Sequence, residues 1–92
     1  MAGVTKKTFT LTPSGVAKIG KITHGGFLII NSGINQATGV YSIPRGDSGS
    51  IGVVLKVPGE GSYFSLTLVD GEIIITNLHT SQISFWVEMI SL

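Results

Sequence analysis

The chain has no cysteine. That excludes disulfides and removes thiolate ligands, and with only two histidines in the chain a structural zinc site is excluded in practice. Charge is scarce as well: 12% of the 92 residues are Asp, Glu, Lys or Arg, about half of the quarter usual in soluble domains. Alanine occurs three times, which leaves few strong helix formers. Long apolar runs are missing too. The longest strictly apolar run is Phe27, Leu28, Ile29, Ile30, far short of the roughly 18 residues of a spanning helix, so it reads as a buried strand. The first residues, Met1 to Lys7, are basic but have no apolar segment behind them, so no signal peptide is expected here.

What is present favours strands. Ile (12), Thr (9) and Val (8) are abundant, and branched side chains lose rotamer freedom in a helix. Thirteen glycines and three prolines cut the chain into short runs, the pattern of an antiparallel sandwich or barrel. Eight runs are expected: Lys7 to Thr12, Val16 to Ile22, Gly26 to Asn31, Gly39 to Ile43, Ile51 to Val57, Ser62 to Val69, Glu72 to Asn77 and Ile83 to Ile90. Residues 1–92 therefore read as one all-β domain, a jelly-roll-like sandwich of about eight antiparallel strands. A lone domain of this size buries only about 60–65% of the surface its unfolded chain exposes. With a mean hydropathy of +0.45 and a net charge of +1, self-association is the expected way to cover the apolar excess.

The strongest local signal is Val69-Asp70-Gly71-Glu72, an Asp-Gly pair between apolar strands that suits a type I′ hairpin. A two-residue turn sets Leu68 opposite Ile73, Leu66 opposite Ile75 and Phe64 opposite Asn77, with Phe64, Leu66, Leu68, Ile73 and Ile75 on a core face. The same alternation sends Ile51, Val53, Leu55 and Val57 inward on the fifth run, and Ile83, Phe85, Val87 and Met89 inward on the last. Large apolar residues are then left on outward faces: Val54, Ile74, Trp86 and Ile90. They are the candidate oligomer interface. A loop of the same chain covering them is the alternative.

Charge divides along the chain. Residues 1–46 carry Lys6, Lys7, Lys18, Lys21 and Arg45 with no acid, a net of +5, and the rest carry Lys56 against Asp47, Glu60, Asp70, Glu72 and Glu88, a net of −4. Either the halves occupy different regions and form a dipole suited to ordered docking, or they interleave in space and the asymmetry vanishes.

Catalytic and metal constellations fail on spacing. Gly46-Asp47-Ser48-Gly49-Ser50 resembles the segment around a chymotrypsin-like serine nucleophile, but no acid other than the adjacent Asp47 lies between His24 and Ser48 to orient the histidine. His24 and His79 stand 55 positions apart with no metal-ligand pairing; a threefold axis gathering three copies of one histidine is the remaining route. No glycosidase-like carboxylate pair can be placed. No metal, no cofactor and no enzymatic activity are expected. Nucleic acid is not an expected partner either, because Lys6, Lys7, Lys18 and Lys21 lack interleaved rings apart from Phe9. No membrane contact is expected. Sugar recognition competes better: Tyr41, Tyr63 and Trp86 are rings that could stack on a saccharide.

The chain resembles the small β-sandwich surface proteins of tailed-phage virions, a grouping of tail-fibre tip domains and head decoration proteins. The resemblance is carried by Gly26-Phe27-Leu28-Ile29-Ile30-Asn31, by Ala37-Thr38-Gly39-Val40-Tyr41-Ser42, by Phe64-Ser65-Leu66-Thr67-Leu68-Val69-Asp70-Gly71 and by Phe85-Trp86-Val87-Glu88-Met89-Ile90-Ser91-Leu92. It implies a non-enzymatic virion protein, a capsid decoration or tail-fibre attachment module. Such a module would be free in the host cytoplasm before assembly, trimeric, and docked on other virion proteins. Because Met1 is followed by no heptads, the module is expected to dock through its body or its first residues, with Lys6 and Lys7 against an acidic virion surface. A carbohydrate- or receptor-binding module facing a host surface glycan is the alternative.

Overall fold

The computed structural model describes residues 3–22, 24–33, 37–46, 49–57 and 63–92. They form eight strands: β1 (Gly3–Leu11), β2 (Val16–Lys21), β3 (His24–Ser32), β4 (Thr38–Arg45), β5 (Gly52–Val57), β6 (Phe64–Val69), β7 (Glu72–Asn77) and β8 (Ile83–Ser91). All pairings are antiparallel, in a five-stranded sheet ordered β1-β8-β3-β4-β5 and a three-stranded sheet ordered β2-β7-β6. The all-β sandwich expected from the branched-residue excess is what the chain builds. No helix among the described residues is long and apolar enough to cross a membrane.

The strand order is only partly that of a jelly roll, whose wrapped double hairpin pairs strands 1 with 8, 2 with 7, 3 with 6 and 4 with 5. β1–β8, β2–β7 and β4–β5 pair in that way, but β3 pairs with β4 and β6 with β7. At the β6–β7 turn the cause is local: Asp70 and Gly71 take φ of 51° and 80°, which closes a two-residue hairpin. The register matches the expected one, with Leu68 opposite Ile73, Leu66 opposite Ile75 and Phe64 opposite Asn77.

The core lies between the sheets. Leu28 and Ile30 of β3, Phe85 and Val87 of β8, Ile19 of β2 and Ile73 and Ile75 of β7 are buried there. Phe64 sits edge-on to Phe85 and Tyr41, at centroid distances of 5.5 Å and 6.2 Å. Burial of these aliphatic and aromatic groups is the main stabilising term. β3 and β8 approach closely at Gly26, where a Cβ would fall on the Ile90 carbonyl oxygen, so only glycine fits.

Asn77 and Ser32 are the buried polar side chains among the described residues, and Asn77 has no exposed surface. Its amide nitrogen donates to the carbonyls of Leu11 (2.9 Å) and Ser81 (3.0 Å), and its Oδ1 accepts from the backbone N–H of His79 (2.8 Å). One side chain thereby ties the end of β7 to the end of β1 and to the turn before β8, and every bond it makes is to backbone.

Two expectations are corrected. β1 begins at Gly3 rather than Lys7, because β8 supplies a partner for each residue from Gly3↔Ser91 to Leu11↔Ile83. β5 does not bury Val53 and Leu55: they are 63% and 51% exposed. The register shifts between Val40↔Leu55 and Tyr41↔Val53, so Val54 is an extra residue in the ladder and the inward alternation breaks there. A three-stranded sheet is also too narrow to cover the fifth strand of its partner.

The charge division along the chain does not survive folding. β1 lies against β8 and β2 against β7, so Lys6 meets Glu88 at 3.5 Å and Lys21 stands opposite Glu72. The two halves interleave.

Candidate functional site: the outer face of the five-stranded sheet

Pairing registers define what this outer face presents. One row across the strands holds Val4 of β1, Ile90 of β8 and Phe27 of β3. The next holds Lys6, Glu88, Ile29, Val40 and Leu55, and the third Thr8, Trp86, Asn31 and Thr38. These positions alternate with the buried Leu28, Ile30, Val87 and Met89, so the face follows from the pleat. Four of its apolar members are open to solvent: Val4 is 60% exposed, Leu55 51%, Trp86 49% and Phe27 41%, while Ile29, Val40 and Ile90 are half-buried.

Around Trp86 the face dips into an open groove of about 270 Å³ lined by Lys6, Lys7, Thr8, Ile29, Asn31, Trp86, Val87 and Glu88. The groove mixes one ring and two aliphatic residues with amide, hydroxyl, ammonium and carboxylate groups. Thr38 donates its hydroxyl proton to Asn31 Oδ1 at 2.8 Å, which fixes the orientation of that amide. The Lys6–Glu88 ion pair is well exposed on the lysine side, so it orients the two groups more than it stabilises the fold.

The four residues expected at one interface do not share a surface. Trp86 and Ile90 lie on this outer face, at the Thr8 and Val4 rows of the ladder. Ile74 is on the outer face of the other sheet, between Lys18 and Thr67. Val54 sits in the edge-strand bulge, 60% exposed. Period-two alternation says which residues point outward, but not which sheet a strand joins.

The three rings also separate. Tyr41 is 4% exposed and packs on Phe64, so it offers no open face to a sugar, and burial pushes its hydroxyl from the ordinary 10.0 to about 12. Tyr63 precedes β6 and lies 5.3 Å from the His79 ring. Of the three, Trp86 alone stands on the outer face of the five-stranded sheet.

Lys7 has a different role from the expected docking one. Its position pairs with Val87, on the inward parity of an edge strand, and its ammonium donates to the Ile19 carbonyl of the opposite sheet. Ile19 is the extra residue of a bulge between Lys18 and Gly20, so its carbonyl stands outside the regular ladder. The cue was available in the sequence: a lysine at an inward position must reach a polar partner or the rim. Asp47 and Ser48 of the serine-protease-like segment lie outside the described residues. His24 is exposed at the start of β3, opposite Arg45.

No family model matches the sequence, and no curated protein matches it. A solved structure does share the fold. The tailspike protein of Acinetobacter phage vB_ApiP_P1 superposes with a TM-score of 0.56 over 94% of this chain, at 12% identity. The chain spans about a fifth of that protein, 21% of its length. The likeness is one of fold, with part of a phage tailspike protein.

Proposed function

We propose that this chain is a non-enzymatic, tail-associated structural module of a phage virion, which self-associates and docks on other virion proteins. The observation that carries the reading is the outer face of the five-stranded sheet, where Val4, Phe27, Leu55 and Trp86 stand open to solvent in a chain with few charges. Apolar surface spread over adjacent strands is a protein-interaction feature. The tailspike-like fold supports the virion setting. The non-enzymatic part rests on the sequence spacing, which supplies no complete triad or ligand set. An antiserum raised against the chain should label particles of the phage that encodes it at a discrete position, and purified particles lacking the chain would refute the reading.

A second reading has its own support. Trp86 with Asn31, Thr8, Lys6 and Glu88 around one groove combines a stacking ring with hydroxyl-binding groups, the chemistry of a saccharide site. On a glycan array, ring-dependent binding that disappears in Trp86→Ala would favour this reading over a purely structural one.

A further inference from the structure

Of the two outer faces, one is fitted to meet itself. We propose that a second copy of this chain covers the outer face of the five-stranded sheet, face to face about a two-fold axis, with Trp86 as its anchor. This rests on the reading of the chain as a self-associating module and deepens it.

Size favours this face. Five strands of nine, nine, nine, eight and six residues, about 4.8 Å apart and rising about 3.4 Å per residue, give roughly 670 Å². Two such faces cover roughly 1,300 Å², within the range of stable, specific interfaces. The outer face of β2-β7-β6, with three strands of six residues each, offers roughly 300 Å² by the same geometry, too little for a stable pair.

Charge points the same way. The charged side chains in the described rows of the large face are Lys6 and Glu88, one of each sign and 3.5 Å apart. A copy of this face therefore brings no net charge, and each ammonium can meet a carboxylate of the copy as well as its own. The smaller face instead gathers Lys18, Lys21, Asp70 and Glu72 beside Ile74, so burying it against a copy would desolvate four charges per chain where the large face has two.

Symmetry follows from the face being one surface. A patch that meets an identical patch does so isologously, through a two-fold; a ring of three needs two different surfaces. The pair is thus a dimer rather than the trimer implied by the phage resemblance.

The test is mass in solution by light scattering on the full chain over a dilution series, with far-ultraviolet circular dichroism confirming that each variant is folded. The wild type should have the mass of two chains. Trp86→Ala should weaken the dimer at least about 30-fold, as expected for an aromatic hot spot. Lys6→Glu, which sets four carboxylates at the interface, should also dissociate it, and the double exchange Lys6→Glu with Glu88→Lys should restore it. Ile74→Ser on the other face should leave the mass unchanged. A trimer, or a dimer indifferent to Trp86→Ala and Lys6→Glu, overturns this inference and leaves self-association standing. A monomer at all concentrations overturns both.

Discussion

Replacing Asn77 tests the account of the core most directly, because its three side-chain hydrogen bonds all go to backbone groups at the ends of different elements. Asn77→Ala takes the amide donor from the Leu11 carbonyl, on a residue that is 9% exposed; losing a hydrogen bond at a buried acceptor costs about 1–3 kcal/mol. The Ser81 carbonyl and the His79 N–H are nearer to water, so each adds only about 0.5 kcal/mol. The sum, about 3 kcal/mol, is a large fraction of the 5–15 kcal/mol typical of a domain. In urea, at an m-value of about 1.5 kcal/mol per molar, the midpoint should fall by about 2 M. Protein concentration must be held constant, since association adds to apparent stability. Asn77→Asp sharpens the test. It keeps the acceptor for His79 but turns an oxygen toward two carbonyls, so at pH 7 it should cost more than the alanine change. Burial beside those carbonyls raises the folded-state pKa of the introduced carboxyl above its unfolded value, about 3.9. Its neutral form can donate, so stability is fully present below pH 4 and lost as pH rises through the folded-state pKa. A loss under about 1 kcal/mol for Asn77→Ala, or an Asn77→Asp deficit that does not shrink in acid, would refute the reasoning.

Two further outcomes follow from the same structure. Lys7→Met removes the ammonium that bridges the sheets and leaves the Ile19 carbonyl to water, so it should lower stability by about 1–1.5 kcal/mol in urea melts, whereas Lys6→Met, at an exposed ion pair, should change the monomer's stability by less than about 0.5 kcal/mol; equal effects would contradict the bridge. Burial holds the Tyr41 proton up to about 12, so the stabilisation it brings is present below pH 10 and is lost as pH rises from 10 toward 12, by at most about 2–3 kcal/mol. Tyr41→Phe should unfold less steeply in alkali, and an unchanged alkaline profile would place the hydroxyl in water instead.

The legible parts of this protein are those set by neighbours in sequence. Asp70-Gly71 needs only its own backbone preferences to close the β6–β7 hairpin, and the period of two then places Leu66, Leu68, Ile73 and Ile75 without reference to any other strand. The same holds for β8, where Phe85 and Val87 turn inward and Trp86 turns outward. β5 was misread because a single extra residue, Val54, breaks the alternation, and no residue type marks a bulge in advance. For Lys7 the sequence signals only that an inward lysine needs a polar partner; which one, the Ile19 carbonyl on the other sheet, is set by the tertiary structure.

Residue composition and spacing determined the class of fold, the number of strands, the tight hairpin and the outward direction of Trp86, since each depends on propensities and periods within a few residues. Strand order belongs to the tertiary structure alone. It separates Ile74 from Trp86 and Ile90, buries Tyr41, pairs Lys6 with Glu88 and leaves one sheet two strands wider than the other. Which strands become neighbours depends on closing long loops against the gain from burying apolar faces, a balance taken over the whole chain. The exposed face around Trp86 is a product of that balance.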